Sequence, residues 1–369
     1  MSAVTIRDVA RRAGVAVATV SRVMNNSGQV RAATERRVLQ AVEELGYRPH
    51  RTARGLARGR MATVAALVPF VTHPSAFARI QGMVEACRGK GLPVSLFDVE
   101  FPEDQHEHLR ALAGDLRPEG LVVVSLHLSD QELDWLRDAQ LCPVLVDAEA
   151  SGLSSVCIDD EAGGRLATTH LLELGHERIA FVGDVEHDRF GFTSSERRHR
   201  GCRQALAAAG IGWRADYERM GRHGRDVARM HAHALLDLPT PPTAVFAASD
   251  TQALGVLEAL RERGLSVPDD LSVIGFDDVD SAGHAALTTV HQPLIDSGRQ
   301  AVRIVEEERI EPGRPAERCL LDINLVVRRT TGPPPSRRRR TRRSASDGPD
   351  QSVQKASQRP TSAREDNRP

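Results

Sequence analysis

G-V-A-V-A-T-V-S-R-V-M-N-N, residues 14–26, opens on a glycine and then takes the spacing of a short helix. Only Val20, Val23 and Met24 are bulky enough to anchor it. Its other side offers Thr19, Ser21, Arg22 and Asn25, all polar and all short except the arginine. Upstream, Thr5 starts T-I-R-D, a capping-box-like signal with Asp8 in the third helical position. Ile6, Val9, Ala10 and Ala13 then recur at helical spacing until Gly14 stops the run. The spacing predicts a second helix over about residues 17–24. A third is predicted over about 32–45, with Val38, Val42 and Leu45 on one face and Gly46 as its end. Two short helices joined at a glycine turn, with a third in support, make a helix-turn-helix.

A helix that enters the major groove needs a face of small side chains. Val17 and Ala18 suit thymine methyls, and Arg22 can reach guanine O6 and N7 in a bidentate contact worth about 1–3 kcal/mol of discrimination. Thr19, Ser21 and Asn25 suit phosphate oxygens, which fix register without reading sequence. Thr5, at the start of the first helix, joins this DNA-contacting set. The plainer alternative is a three-helix surface bundle whose polar face is merely solvated.

Charge favours the first reading. The net charge of -1 hides a basic head: residues 1–60 hold 12 Lys+Arg against 4 Asp+Glu. Residues 332–369 hold 10 against 4, leaving 27 against 42 for the middle. A basic head on an acidic body places the contact with a polyanion at the head alone. The five cysteines, Cys87, Cys142, Cys157, Cys202 and Cys319, never form C-x-x-C and are expected as buried free thiols in a reducing cytosol. The N-terminus lacks the apolar core of a signal peptide, and no stretch approaches a membrane span. A cytoplasmic protein is expected.

T-I-R-D-V-A-R-R-A-G-V-A-V-A-T-V-S-R-V-M-N-N-S-G-Q-V (5–30) and R-V-L-Q-A-V-E-E-L-G-Y-R-P-H-R-T-A-R-G-L-A-R-G-R (37–60) resemble the headpiece and hinge of the LacI/GalR family of bacterial transcription regulators. The resemblance implies that Val17, Ala18 and Arg22 read bases. It also implies that the stretch after Pro49 becomes a hinge helix on DNA, with Leu56 wedged into the minor groove. Two positions depart from the family. Ala16 and Arg31 stand where serine commonly caps helices two and three, a loss of about 0.5–2 kcal/mol each. Gly55 in the hinge costs roughly 1 kcal/mol against alanine.

Beyond residue 60, apolar runs such as T-V-A-A-L-V-P-F (63–70), G-L-V-V-V-S-L (120–126) and L-S-V-I-G-F-D-D (271–278) alternate with amphipathic stretches. That pattern argues for parallel sheets covered on both faces, with ligand binding at the carboxyl ends of the strands. Several runs end in polar groups: Asp98, Asp147, Asp184, Ser249–Asp250 and Asp277–Asp278. Aspartate is also a common turn residue, which is the plainer account of any one of them. The body likewise resembles the LacI-family core, through H-L-L-E-L-G-H-E-R-I-A-F-V-G-D (170–184), the segment 241–278 and L-T-T-V-H-Q-P-L (287–294). The resemblance implies a periplasmic-binding-protein-like core of two α/β subdomains joined by three crossovers. It places the effector on Asp147, Arg198, Ser249, Asp250, Asp277 and Gln292. Carboxylates and an arginine fork suit vicinal sugar hydroxyls or the heteroatoms of a purine. Departures are Ser249 where many relatives carry an amide, T-H-P-S-A-F-A-R-I (72–80) where many show N-P-F-F, and few aromatic rings for stacking, with Trp213 the candidate platform.

The expected fold is thus α/β, an all-α helix-turn-helix headpiece on a two-subdomain core of parallel sheets. The expected domains are a headpiece over 1–48, a hinge over 49–60 and a core over 61–331. Within the core, one subdomain takes 61–160 plus 291–320 and the other 161–290 plus 321–331. A disordered Arg/Pro-rich tail over 332–369 has six arginines within 337–343 that could add phosphate affinity. H-E-H (106–108) and H-A-H (231–233) lack further nearby ligands, and no Walker, G-x-G-x-x-G or G-x-S-x-G pattern sits in a usable context. No metal, cofactor or catalytic residue is assigned. The reading is a homodimeric repressor binding a pseudo-palindromic operator and regulated by a small-molecule effector, a sugar or sugar derivative. The alternatives are a purine-responsive co-repressor type, a ligand-binding receptor without DNA function, and, more remotely, an enzyme on the same core.

Overall fold

The computed structural model describes residues 4–24, 30–47, 61–88, 90–185 and 189–335. Asn25, the hinge with Leu56, and the arginine run at 337–343 lie outside the described residues.

The head is α1 (Ile6–Ala13), α2 (Val17–Met24) and α3 (Ala32–Leu45). Its apolar spacing becomes one small core: Val9, Ala10, Ala13, Val20, Val38 and Ala41 are buried together, with Met24, Val42 and Leu45 packed around them. The turn between the first two helices requires its glycine. Gly14 sits at φ +64°, the left-handed region that costs other residues a Cβ clash. At the start of α1 the Asp8 carboxylate accepts from the Thr5 N–H (2.9 Å) and hydroxyl (2.7 Å). These bonds, the hydroxyl's foremost, hold the Asp8 carboxyl below its ordinary range. Arg31 leads α3 without a side-chain cap, as its type dictates.

The body holds two six-stranded sheets. In the first, β1 (Met61–Pro69), β2 (Val94–Val99), β3 (Pro118–Val124), β4 (Pro143–Val146), β5 (Ser155–Cys157) and the late strand β11 (Arg318–Leu320) lie in the order β11-β5-β4-β3-β1-β2, all parallel. The second holds β6 (Ile179–Asp184), β7 (Glu218–Gly221), β8 (Ala244–Ala247), β9 (Ser272–Asp277), β10 (Thr288–His291) and β12 (Asn324–Val326). Its order is β12-β10-β9-β8-β6-β7, with β12 antiparallel at the edge and every other pairing parallel. The chain passes between the sheets three times, after β5, β10 and β11.

Covering both faces explains the unbroken apolar runs. Along β1, Val64, Ala66 and Val68 face a layer with Met83 of α4 (Pro74–Arg88) and Ile304 of α12 (Leu294–Ile310). Ala65 and Leu67, pointing the other way, meet Leu109 of α5 (Pro102–Ala111) and Leu136 of α6 (Asp130–Asp138). The second sheet repeats this. Ala180 and Val182 face α9 (Arg225–Leu236), α10 (Asp250–Glu262) and the short α11 (Asp280–His284), while Phe181 faces α7 (Asp160–Glu173) and α8 (Ser194–Ala208).

In each half glycine brings helices unusually close. A Cβ on Gly298 of α12 would overlap the Arg79 carbonyl oxygen of α4, and one on Gly164 of α7 would overlap the Arg198 carbonyl oxygen of α8. Gly82 and Gly201 make the reciprocal approaches to Ile295 and Glu161. Gly298→Ala must push the helices apart and is expected to cost about 1–3 kcal/mol as overpacking. Denaturant unfolding of the full chain measures it, and an unchanged midpoint would contradict the close approach.

Just past residue 331, the Gly332 carbonyl accepts from His176 Nε2 (2.8 Å) and the Gly332 N–H reaches Ser272 Oγ (3.1 Å). One expectation is corrected. The thiols are unbridged, yet only Cys87, Cys157 and Cys202 are buried; Cys142 is exposed. Burial pushes the Cys157 and Cys202 thiols up to about 12.

Candidate functional site

On the head, α2 turns Val20 fully inward and leaves Val17, Ala18 and Arg22 exposed together. Positions i, i+1 and i+5 of one helix share an outward face here because the opposite face is committed to the core. Thr19 and Ser21 flank it half-buried, and Thr5 is exposed with its hydroxyl on Asp8.

In the body, both sheets reverse strand order beside their first strand, β1 between β2 and β3, and β6 between β7 and β8. Such switch points open crevices beyond the carboxyl ends of the strands. Here the two crevices face each other and enclose a cavity of about 700 Å³, the size of a small-ligand site. Asp147, Arg198, Ser249, Asp277 and Gln292 line it, each just past a strand or on a helix entering it. Asp147 and Asp277 end β4 and β9 at φ +61° and +116°, strained conformations of the kind held at binding sites.

Asp250 is not among them. It is fully buried behind the wall, one carboxylate oxygen accepting from the Val279 N–H (3.0 Å) and the other from the Thr289 hydroxyl (2.6 Å). Burial, then the Asp277 charge, pushes its carboxyl up to about 8. Its neighbour Ser249 caps α10, accepting from the Gln252 N–H (3.2 Å).

Four of the five lining residues, all but Ser249, form part of one buried polar chain. Arg198 lies over the Phe276 ring (3.6 Å) and donates through Nε to Asp160 (2.8 Å) and through Nη1 to the Ala248 carbonyl (2.7 Å). Asp277 is 3.6 Å from the same Nη1. Gln292 donates to Asp277 (2.5 Å) and accepts from Arg79 Nη2 (3.4 Å), which stands 3.3 Å from Asp147. Ser125 donates to Asp147 (3.1 Å). Burial, resisted by Arg198, pushes the Asp160 carboxyl up to about 6 and raises that of Asp277 too. Such a network turns fixed donors and acceptors toward a ligand.

Several groups of the site have no local signal. Arg79, in the middle of a helix, lines the cavity, and Asp160, at the start of another, stands behind the wall against Arg198. His73 and His223 meet across the cleft at 5.3 Å between ring centres. Burial opposes protonation of His223, but Asp184, 3.2 Å away, raises its pKa overall; burial lowers that of His73. The ring wall comes from phenylalanine: Phe190 is edge-on to Phe70 (5.4 Å) and stacked on Phe192 (5.3 Å). Trp213 is elsewhere, bonded to Glu218 (3.0 Å) and packed on His199. The F-G-F of 190–192, two rings in a loop between a strand and a helix, was the available clue. His106 of H-E-H packs on Trp135 (4.5 Å). No helix among the described residues is long and apolar enough to cross a membrane.

A helix-turn-helix on a basic head, followed by an α/β body with a cleft between its two sheets, is the anatomy of an effector-regulated DNA-binding protein. The chain belongs to the LacI family of bacterial regulatory proteins, which makes it a transcriptional regulator and not an enzyme. Residues 5–50 match that family's DNA-binding region and residues 168–331 the periplasmic binding protein-like domain. It is similar to the HTH-type transcriptional repressor PurR of Vibrio campbellii, 34% identical over 333 residues, covering 88% of this chain and 98% of that one. Catabolite control protein A of Priestia megaterium is 32% identical over 307 residues, covering 82% and 91%. Among solved structures, a Lac repressor dimer bound to operator and the anti-inducer ONPF superposes with a TM-score of 0.77 at 28% identity, covering 90% and 100%. The complex of the transcriptional regulator CelR with cellobiose gives 0.67 at 32%, covering 89% and 100%.

Proposed function

We propose that the chain is a repressor that binds a pseudo-palindromic operator as a homodimer in the cytoplasm, and that a sugar or sugar derivative in the cleft sets its affinity. The observation that carries this is the convergence of Asp147, Arg198, Asp277 and Gln292 on one cavity. Alternating carboxylates and guanidinium groups match hydroxyls that donate and accept at neighbouring carbons. A twofold dimer imposes its symmetry on the half-sites. On this reading Val17, Ala18 and Arg22 read bases, and Thr5, Thr19, Ser21 and Asn25 hold the backbone while Leu56 wedges the minor groove. The effector acts by linkage. It needs to favour one relation of the two halves by only about 1–3 kcal/mol to change operator affinity some five- to 150-fold. A purine base acting as co-repressor is the second reading, favoured by the stacked Phe190 and Phe192 and by the similarity to PurR.

Selection of bound duplexes from a random pool should return an inverted repeat. A panel of sugars and purine bases should then contain a sugar that shifts the affinity for it. Selection without a repeat would overturn the operator reading, and a response to purine bases alone would overturn the sugar reading.

A further inference from the structure

The charges around the cleft divide by exposure. Each carboxylate that lines it already has a counterpart on the wall. Asp147 faces Arg79 (3.3 Å), Asp277 faces Arg198 (3.6 Å), and Asp184 faces His223 (3.2 Å). Two more lining arginines, Arg189 and Arg222, are exposed and form no ion pair with a described residue. Arg189 is nonetheless held in place. Its guanidinium lies over the rings of Phe101 and Phe190 (5.0 Å each), and Nη2 donates to the Glu100 carbonyl (2.8 Å).

Two further observations have the same sign. The fifteen-residue α8 starts at this wall, so Thr193, Ser194 and Ser195 all line the cavity, and Thr193 makes no side-chain cap. The first amides of such a helix favour negative charge. Arg79, 4% exposed and also lining the cavity, has its Nε without a hydrogen-bond partner. A neutral sugar would satisfy the inner polar chain and leave Arg189, Arg222 and these donors without a counterpart among the described residues.

We propose that the effector carries an anionic group, a phosphate ester or a carboxylate, on its polyhydroxylated body, and that Arg189 and Arg222 at the cleft mouth hold that group. The inference rests on the sugar reading of the same cleft. The inner residues then hold the hydroxyls, and the two outer arginines distinguish an acidic sugar from its neutral parent. Charge-assisted bonds from guanidinium to phosphate or carboxylate are the strong ones.

Calorimetry on the full chain tests this with common pentoses and hexoses, their phosphate esters, their uronates, a free purine base, and inorganic phosphate as minimal probe. An Arg189→Gln/Arg222→Gln double variant changes only exposed side chains. Esters or uronates should bind the parent protein at least about tenfold tighter than the neutral sugars. That preference should vanish in the double variant, and inorganic phosphate should compete in the parent only. Esters against uronates then distinguish the two sources of charge. Neutral sugars binding as tightly as charged ones would overturn the inference while leaving the sugar reading in place. So would a preference that survives the double variant, or inorganic phosphate competing equally in both proteins. Binding of the purine base with no sugar of any charge would overturn both.

Discussion

Arg198→Ala is expected to abolish effector binding and to lower stability by about 3–5 kcal/mol, the cost of leaving buried charges without their partner. Asp160 and Asp277 both depend on this guanidinium, and both are buried. The loss should itself depend on pH. Asp160, already raised to about 6 in the intact network, and Asp277, also raised, rise further once the cation is gone. A carboxyl whose native pKa exceeds its unfolded value takes up a proton on folding, so stability falls as pH rises toward that native value. The gap between variant and parent should therefore be widest near pH 8 and narrower near pH 5. Urea unfolding at several pH values measures it, and a gap indifferent to pH would assign the loss to packing alone. Arg198→Lys should recover part of the stability and little of the binding, since an ammonium cannot copy a fork that reaches Asp160 and the Ala248 carbonyl together.

Arg22→Ala should reduce affinity for the selected operator by about 10- to 100-fold, equivalent to 1–3 kcal/mol for a bidentate contact to guanine. Arg22 is exposed on α2 while Val20 holds the helix to the core, so thermal stability should stay where it was. Affinity for random duplex should change little at fixed salt, apart from one lost phosphate-attracting charge. Titration of both duplexes by fluorescence anisotropy distinguishes the outcomes. Equal losses on operator and random DNA would remove Arg22 from the base-reading face.

How far the sequence could be read follows from how local each determinant is. Val9, Val20 and Val38 declare themselves through helical spacing, and Gly14 through the turn it alone permits without a clash. The strands of both sheets appear as apolar runs because both faces are covered, and of the aspartates at their ends Asp147, Asp184 and Asp277 mark the cleft. What could not be read depends on partners far along the chain. Asp250 has the same local setting as Ser249, but Thr289 and Val279 claim its carboxylate and withdraw it from the cavity. Arg79 follows an apolar helix pattern and becomes a cleft residue only through Gln292, 213 positions later. Low aromatic content hid the ring wall, since a few phenylalanines suffice when three converge.

The first sheet takes its edge strand β11 and its covering helix α12 from beyond residue 290, after five of the six strands of the second sheet have been made. During synthesis, at about 5–20 residues per second, Ile80 and Met83 of α4 therefore wait on the order of 10 s or more for their cover. The headpiece leaves the ribosome ahead of both sheets, and the first half, begun earlier than the second, stays open until residues past 290 arrive. A chain that stops before β11 loses structure at its beginning, and quality control inside the cell meets that unfinished half before any operator does.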